Sequence, residues 1–163
     1  MTNELKNTNE VTPYDTGAEV MVVNRADLAP AEMMNALLNR EQTFFCSINN
    51  DGSRANAVRI YNAINSAKEK ADDHKNEVLN IVDVAAHPIT ITDENTGELI
   101  NTMRVVLIDE NGVGYEAVSQ GIVSSLTKLF AVVGQPTWEP ALSLKIVEQK
   151  TRKGFKTNTI ELV

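Results

Sequence analysis

With 163 residues, 42% of them apolar, the chain has material for one sizeable core but not for two comfortable domains. No stretch approaches the roughly 18 uninterrupted apolar residues of a membrane-spanning helix, and residues 1–10 are polar and acidic where a secretory signal would be basic and then apolar, so a cytoplasmic protein without a membrane partner is expected. A formal net charge of −7 opposes binding to phosphate backbones in general; the lone Cys46 excludes an internal disulfide and, with only His74 and His87 beside it, makes no zinc set, so no metal or other cofactor is expected.

Residues 1–17 are rich in Asn, Thr and Glu with few large apolar side chains, which predicts a flexible arm ahead of a single domain over 18–163. Residues 29–39 read as a short helix with Asp27 as N-cap, Pro30 in the first turn and Met33, Met34, Leu37 and Leu38 on one face. A β-prone run over 43–48 ends in the turn Asn49-Asn50-Asp51-Gly52. Ser53 then caps a second helix, where Val58, Ile60, Tyr61 and Ile64 recur at helical spacing, and the charged stretch 68–75 reads as a solvated linker.

From Glu77 onward β-branched residues dominate. Residues 78–92 form one long strand, with Pro88 suited to a bulge or an edge because it lacks a ladder donor. Turns at 93–97 and 109–112 separate it from strands at 99–108 and 113–118. Residues 119–132 carry Ile122, Val123, Leu126, Leu129 and Phe130 at helical spacing, with Ser119 as cap and Gly134 and Pro136 as stop signals. Strands at 142–148 and 155–163 make a terminal hairpin across Gln149-Lys150-Thr151-Arg152-Lys153-Gly154. The order β-β-β-α-β-β predicts a mainly β chain with helices: an OB-fold-like five-stranded Greek-key barrel, one helix between strands three and four, and N-terminal strand and helix additions.

Charge is distributed unevenly. Residues 1–140 hold 10 basic and 20 acidic side chains, whereas 141–163 hold five basic ones (Lys145, Lys150, Arg152, Lys153, Lys156) against Glu148 and Glu161. In an OB-type barrel the terminal hairpin is one of the loops that clasp nucleic acid, and Lys150, Arg152, Lys153 and Lys156 around Phe155 combine phosphate-tracking cations with a stacking ring. The same run also reads as a solvated hairpin tip, with Phe155 turned inward. Arg104 and Lys145 add phosphate contacts if they face the groove. Phe44 and Phe45 are adjacent and so point to opposite sides of a strand, leaving one, Phe45 among the candidates, as a stacking platform or covered by another element. Tyr115 and Trp138 either stack bases or pack in the core.

Chemistry finds no anchor: the chain lacks a nucleophile elbow, a phosphate-binding P-loop, a metalloprotease motif and paired histidines. Asp93-Glu94 and Asp109-Glu110 sit where acidic residues serve turns, and Cys46 reads as a small buried hydrophobe. No enzymatic activity is expected. The alternatives are an OB-like protein-interaction or regulatory subunit, with the hairpin cations meeting an acidic partner, and, more remotely, a metal-dependent nuclease.

Several segments carry a family resemblance: Val82-Asp83-Val84, Arg104-Val105-Val106-Leu107-Ile108-Asp109, Tyr115 to Ser119, Gly121 to Leu126, Gly134-Gln135-Pro136-Thr137-Trp138, Lys150-Thr151-Arg152-Lys153-Gly154 and the ending Glu161-Leu162-Val163. From about Thr43 onward, with Val58 to Ala63 as a further patch, the chain resembles the single-stranded DNA-binding proteins of bacteriophages and mobile elements of Gram-positive bacteria. The resemblance implies an OB-fold protein that binds and protects single strands with little sequence preference during replication or recombination of the element, with Lys150, Arg152 and Lys153 as its contacts. It leaves replication or recombination proteins and homo-oligomers open as partners. The ending Thr-Ile-Glu-Leu-Val departs from the acidic tails of the bacterial housekeeping proteins of this activity, which puts recruitment through such a tail in doubt.

Overall fold

The computed structural model describes residues 44–163; the expected arm over 1–17 and the expected helix over 29–39 lie outside the described residues. In chain order the elements are β1 (Phe45–Cys46), α1 (Arg54–Asn65), β2 (Glu69–Lys70), a 3-10 turn (Ala71–His74), β3 (Leu79–Thr92), β4 (Leu99–Asp109), β5 (Gly114–Ala117), α2 (Gln120–Val133), β6 (Leu142–Lys150) and β7 (Lys156–Leu162). All seven strands join one curled, mixed sheet in the order β2-β5-β4-β3-β6-β7, with β1 pairing β3 off this path. The five longer strands and α2 are those expected. β1 falls in the run expected as an N-terminal strand addition, and β2 is the one strand not expected.

β3 organises the sheet because it is long enough to serve two neighbours. From Ile81 opposite Asp109 to Thr92 opposite Leu99 it pairs β4, while only Leu79–Ile81 pair β6, opposite Leu144–Leu142. Pro88 pairs Met103 beyond the reach of β1, which meets β3 at Ala85 and Ala86, and beyond β6. It therefore occupies the predicted edge position, its missing N–H costing the ladder nothing. The bulge lies earlier, between Ile81 and Asp83, where β3 turns from one partner to the other.

Apolar side chains line both faces of the sheet. The larger cluster gathers Leu79, Ile81, Val84, Met103, Val105, Leu107, Leu144 and Ile146 beneath the Ile122, Val123, Leu126, Leu129 and Phe130 face of α2. Fully burying each such side chain contributes about 1.5–3 kcal/mol, which makes this face the main source of stability. On the opposite face Cys46, Ile48, Ala85, Val106 and Ile108 meet Ile60 of α1, with Phe44, Ala63 and Ile64 packed at the side. Burial pushes the Cys46 thiol up to about 11, in keeping with a small core hydrophobe.

Two expectations are corrected. The charged stretch 68–75 is not a linker: β2 pairs β5 in parallel, Glu69 opposite Tyr115, and Ala71 is 1% exposed within the core. One small apolar residue among charged neighbours is enough to anchor it, and composition hides that. In α1 only Ile60 is buried; Val58 and Tyr61, which share its helical periodicity, point outward.

Candidate nucleic-acid interface

β6 and β7 pair from Leu144 opposite Leu162 to Lys150 opposite Lys156. The tip is closed by three backbone donors: the Thr151 N–H to the Phe155 carbonyl at 2.7 Å, the Gly154 N–H to the Thr151 carbonyl at 2.9 Å, and the Phe155 N–H to Thr151 Oγ1 at 3.2 Å. Gly154 has φ +84° with open space around the missing Cβ, so backbone conformation rather than crowding calls for glycine. A turn this well closed holds its side chains outward.

Lysines directly opposite each other, as at Lys150 and Lys156, oppose strand pairing. Lys156 is compensated by Glu148 at 2.9 Å, a carboxylate that also reaches Lys75 at 3.5 Å. The shared hydrogen bond holds the Glu148 carboxyl below, and the Lys156 ammonium above, its ordinary range. Among the described residues, Lys150, Arg152 and Lys153 have no carboxylate within 4.0 Å. Phe155 stands beside them, 45% exposed rather than turned inward. The tip thus presents three uncompensated cations around one open aromatic ring.

The other expected contacts are not brought to this tip. Lys145 lies between buried Leu144 and Ile146, facing Glu161 across the strands, and strand alternation puts it on the opposite face from Lys150. Arg104 is half-buried on the α1 face. Its Nε and Nη2 donate to Glu116 Oε2 at 2.8 and 2.5 Å, and its Nη1 donates to the Ile64 carbonyl at 2.5 Å. The Ile64 contact ties α1 to β4 and the two Glu116 contacts tie β4 to β5, so Arg104 is engaged rather than offered to phosphate.

Three expected stacking rings are in the core. Phe45 is 2% exposed, edge-on to Phe130 at 6.3 Å, while its neighbour Phe44 is covered from the α1 side. Tyr115 is buried against His74 at 5.0 Å, and its hydroxyl donates to Asp109 Oδ2 at 3.3 Å. Trp138 is buried, and its indole N–H donates to the Gly134 carbonyl at 3.1 Å. For these three the packing reading prevails, because a base can stack only on a ring face open to solvent.

Two segments singled out in the sequence meet in space. The Trp138 N–H donates to the Val82 carbonyl at 2.9 Å, and the hydroxyls of Thr137 and Ser47 donate to the buried Asp83 carboxylate at 2.5 and 2.6 Å. They pin the loop after α2 and the end of β1 onto the bulge of β3. The acidic pairs act in turns: Asp93 Oδ1 accepts from the Asn95 and Thr96 N–H groups, and Asp109 Oδ1 from those of Asn111 and Val113. Arg59 and Lys68, which line a groove beside α1, and the exposed Tyr61 were not singled out by the sequence as binding candidates. The available signal was that residues 53–68 contain three cations and no carboxylate.

A curled β-sheet carrying a cationic hairpin with an exposed aromatic is the equipment of a protein that tracks a phosphate backbone and stacks unpaired bases. The chain belongs to the family described as Phage Single-stranded DNA-binding protein, which matches residues 38–163. It binds single-stranded DNA in phage replication, and the family is a non-catalytic, DNA-binding one. No curated protein and no solved structure matches the chain. Among the described residues no helix is long and apolar enough to cross a membrane.

Proposed function

We propose that the β6–β7 hairpin is the primary grip on the single strand. Lys150, Arg152 and Lys153 hold successive phosphates and Phe155 stacks a base. The observation that carries this reading is that, among the described residues, three tip cations have no carboxylate partner in a chain of net charge −7. Lys156 contributes after exchanging Glu148 for phosphate, and Lys145 contacts the strand only where it passes the hairpin's base. Binding is backbone-directed and stacking-directed and therefore carries little sequence preference.

The scaffold is an OB-type Greek-key barrel built from β3, β4, β5, β6 and β7, an assignment supported by the order β5-β4-β3-β6-β7 and by a first strand shared between two neighbours. Together with the preceding residues from 18 onward it works as one binding domain, without cofactor or enzymatic activity. Phage replication makes the host cytoplasm its compartment, and replication or recombination proteins and further copies of the chain its neighbours on the strand. Phe155→Ala is expected to weaken single-strand binding about 5- to 100-fold and Phe155→Tyr to restore it, measured by fluorescence anisotropy. Equal affinity of Phe155→Ala and wild type would remove the ring from the interface.

A further inference from the structure

The outer face of β3, β4 and β5 is covered by α1, and α1 carries its own set of binding groups. Residues 53–68 hold Arg54, Arg59 and Lys68 and no acidic side chain. On the helix, Arg54, Val58 and Tyr61 fall at i, i+4 and i+7 and so form one stripe, opposite the buried Ile60. Val58 is 51% and Tyr61 64% exposed. A helix that served only to cover the sheet would turn polar side chains outward; here an aromatic ring and an adjacent apolar side chain are left in solvent next to an arginine.

A second observation lies beside this stripe. A groove of about 350 Å³ runs between α1 and the β4–β5 turn, with Arg59, Asn62, Lys68 and Asn111 at its walls and Ala63 and Ile108 among its apolar lining. No carboxylate lines it, and among the described residues neither Arg59 nor Lys68 has an acidic side chain within 4.0 Å. Two uncompensated cations and two amides along an acid-free groove suit an anionic backbone. The groove also lies at the right end of the molecule. The β4–β5 turn meets β3 at Asn80, whose carbonyl accepts the Glu110 N–H at 3.2 Å, and β6 starts opposite Ile81 at Leu142 and runs past the β3 end after Leu144 opposite Leu79. Groove and hairpin thus flank the same N-terminal end of β3.

We propose that α1 is a second contact surface for the single strand, in which Tyr61 stacks a base and Arg59 and Lys68 hold phosphate in the groove. The strand gripped by the hairpin continues across this end of β3 onto the helix. The inference rests on single-strand binding by this chain, and its test separates the two. Anisotropy titrations of a labelled thymidine 30-mer would compare wild type with Tyr61→Ala, Tyr61→Phe and the double variant Arg59→Gln, Lys68→Gln, with circular-dichroism melts to check folding.

Tyr61→Ala is expected to lose about 5- to 100-fold in affinity, and Tyr61→Phe to keep wild-type affinity, because stacking needs the ring and not the hydroxyl. The double variant is expected to flatten the plot of log affinity against log salt by about 1.4, two contacts at roughly 0.7 each. Wild-type binding together with unchanged affinity and salt slope in these folded variants would overturn the proposal while leaving single-strand binding intact. Failure of the wild type itself to bind would instead remove the functional reading. Unchanged DNA affinity with a shifted sedimentation profile would assign the helix face to contacts between copies of the chain and overturn the proposal as well.

Discussion

His74 and His87 differ in what surrounds them. His74 donates through Nδ1 to Glu77 Oε2 at 2.8 Å and through Nε2 to Glu69 Oε2 at 3.2 Å, and these two carboxylates, Glu77 first, raise its pKa above the usual 6.5. His87 lies half-buried opposite Arg104; burial first, and then the arginine charge, lowers its pKa below 6.5. The stability from His74 is fully present below its unfolded pKa near 6.5 and is lost as pH rises through its folded value; that from neutral His87 is present above 6.5 and lost as pH falls through its folded value. Proton NMR of the imidazole resonances should show one titration above and one below 6.5, with Glu77→Gln moving the upper one down. Two coincident midpoints at 6.5 would contradict both environments. Neither environment was legible in the sequence, because Glu69 reaches His74 through β2, a strand hidden in a charged stretch, and Arg104 reaches His87 only through strand register.

The joint between α2 and β7 is the clearest case of one element dictating the sequence of another. A Cβ on Gly121 would come within 2.1 Å of the Asn158 carbonyl oxygen and 2.5 Å of Thr157 Oγ1. Beside this contact Ser119 Oγ donates to the Asn158 carbonyl at 3.3 Å, and Ser125 Oγ accepts the Ile160 N–H at 3.3 Å. The edge of β7 is thereby covered by a helix, one way natural sheets avoid pairing with strangers. Gly121→Ala forces backbone apart and is expected to cost about 1–3 kcal/mol in denaturant unfolding, whereas Ser124→Ala on the exposed side of α2 is expected to be neutral. An unchanged midpoint for Gly121→Ala would show that the two elements do not pack this closely. The existence of α2 was plain from its apolar spacing, and Ser119 marked its start. That Ser119 makes no side-chain cap bond and serves β7 instead follows from packing, which periodicity does not encode. The same limit explains α1: spacing announced a helix but not that Val58 and Tyr61 lie on the side away from Ile60.

Across the whole molecule, a chain of net charge −7 bunches cations at its terminal hairpin and places three, with no acidic residue among them, over residues 53–68. The hairpin was legible because its signals are local: a glycine at the turn and cations bunched in one short run. The buried fates of Phe45, Tyr115 and Trp138 and the engagement of Arg104 were not, since they depend on which face of the sheet each strand presents. The acidic remainder discourages loose adhesion to duplex, whose bases are already stacked and offer the hairpin only phosphates. The measurement that tests this account most directly is an anisotropy titration of a mixed-sequence 30-mer, single-stranded and duplex, at two salt concentrations. Wild type would be set against the triple variant Lys150→Ala, Arg152→Ala, Lys153→Ala. The account predicts tighter binding of the single strand and a salt slope flatter by about 2 in the triple variant, from three lost contacts at roughly 0.7 each. Equal binding of single strand and duplex, or a triple variant with wild-type affinity and slope, would contradict it.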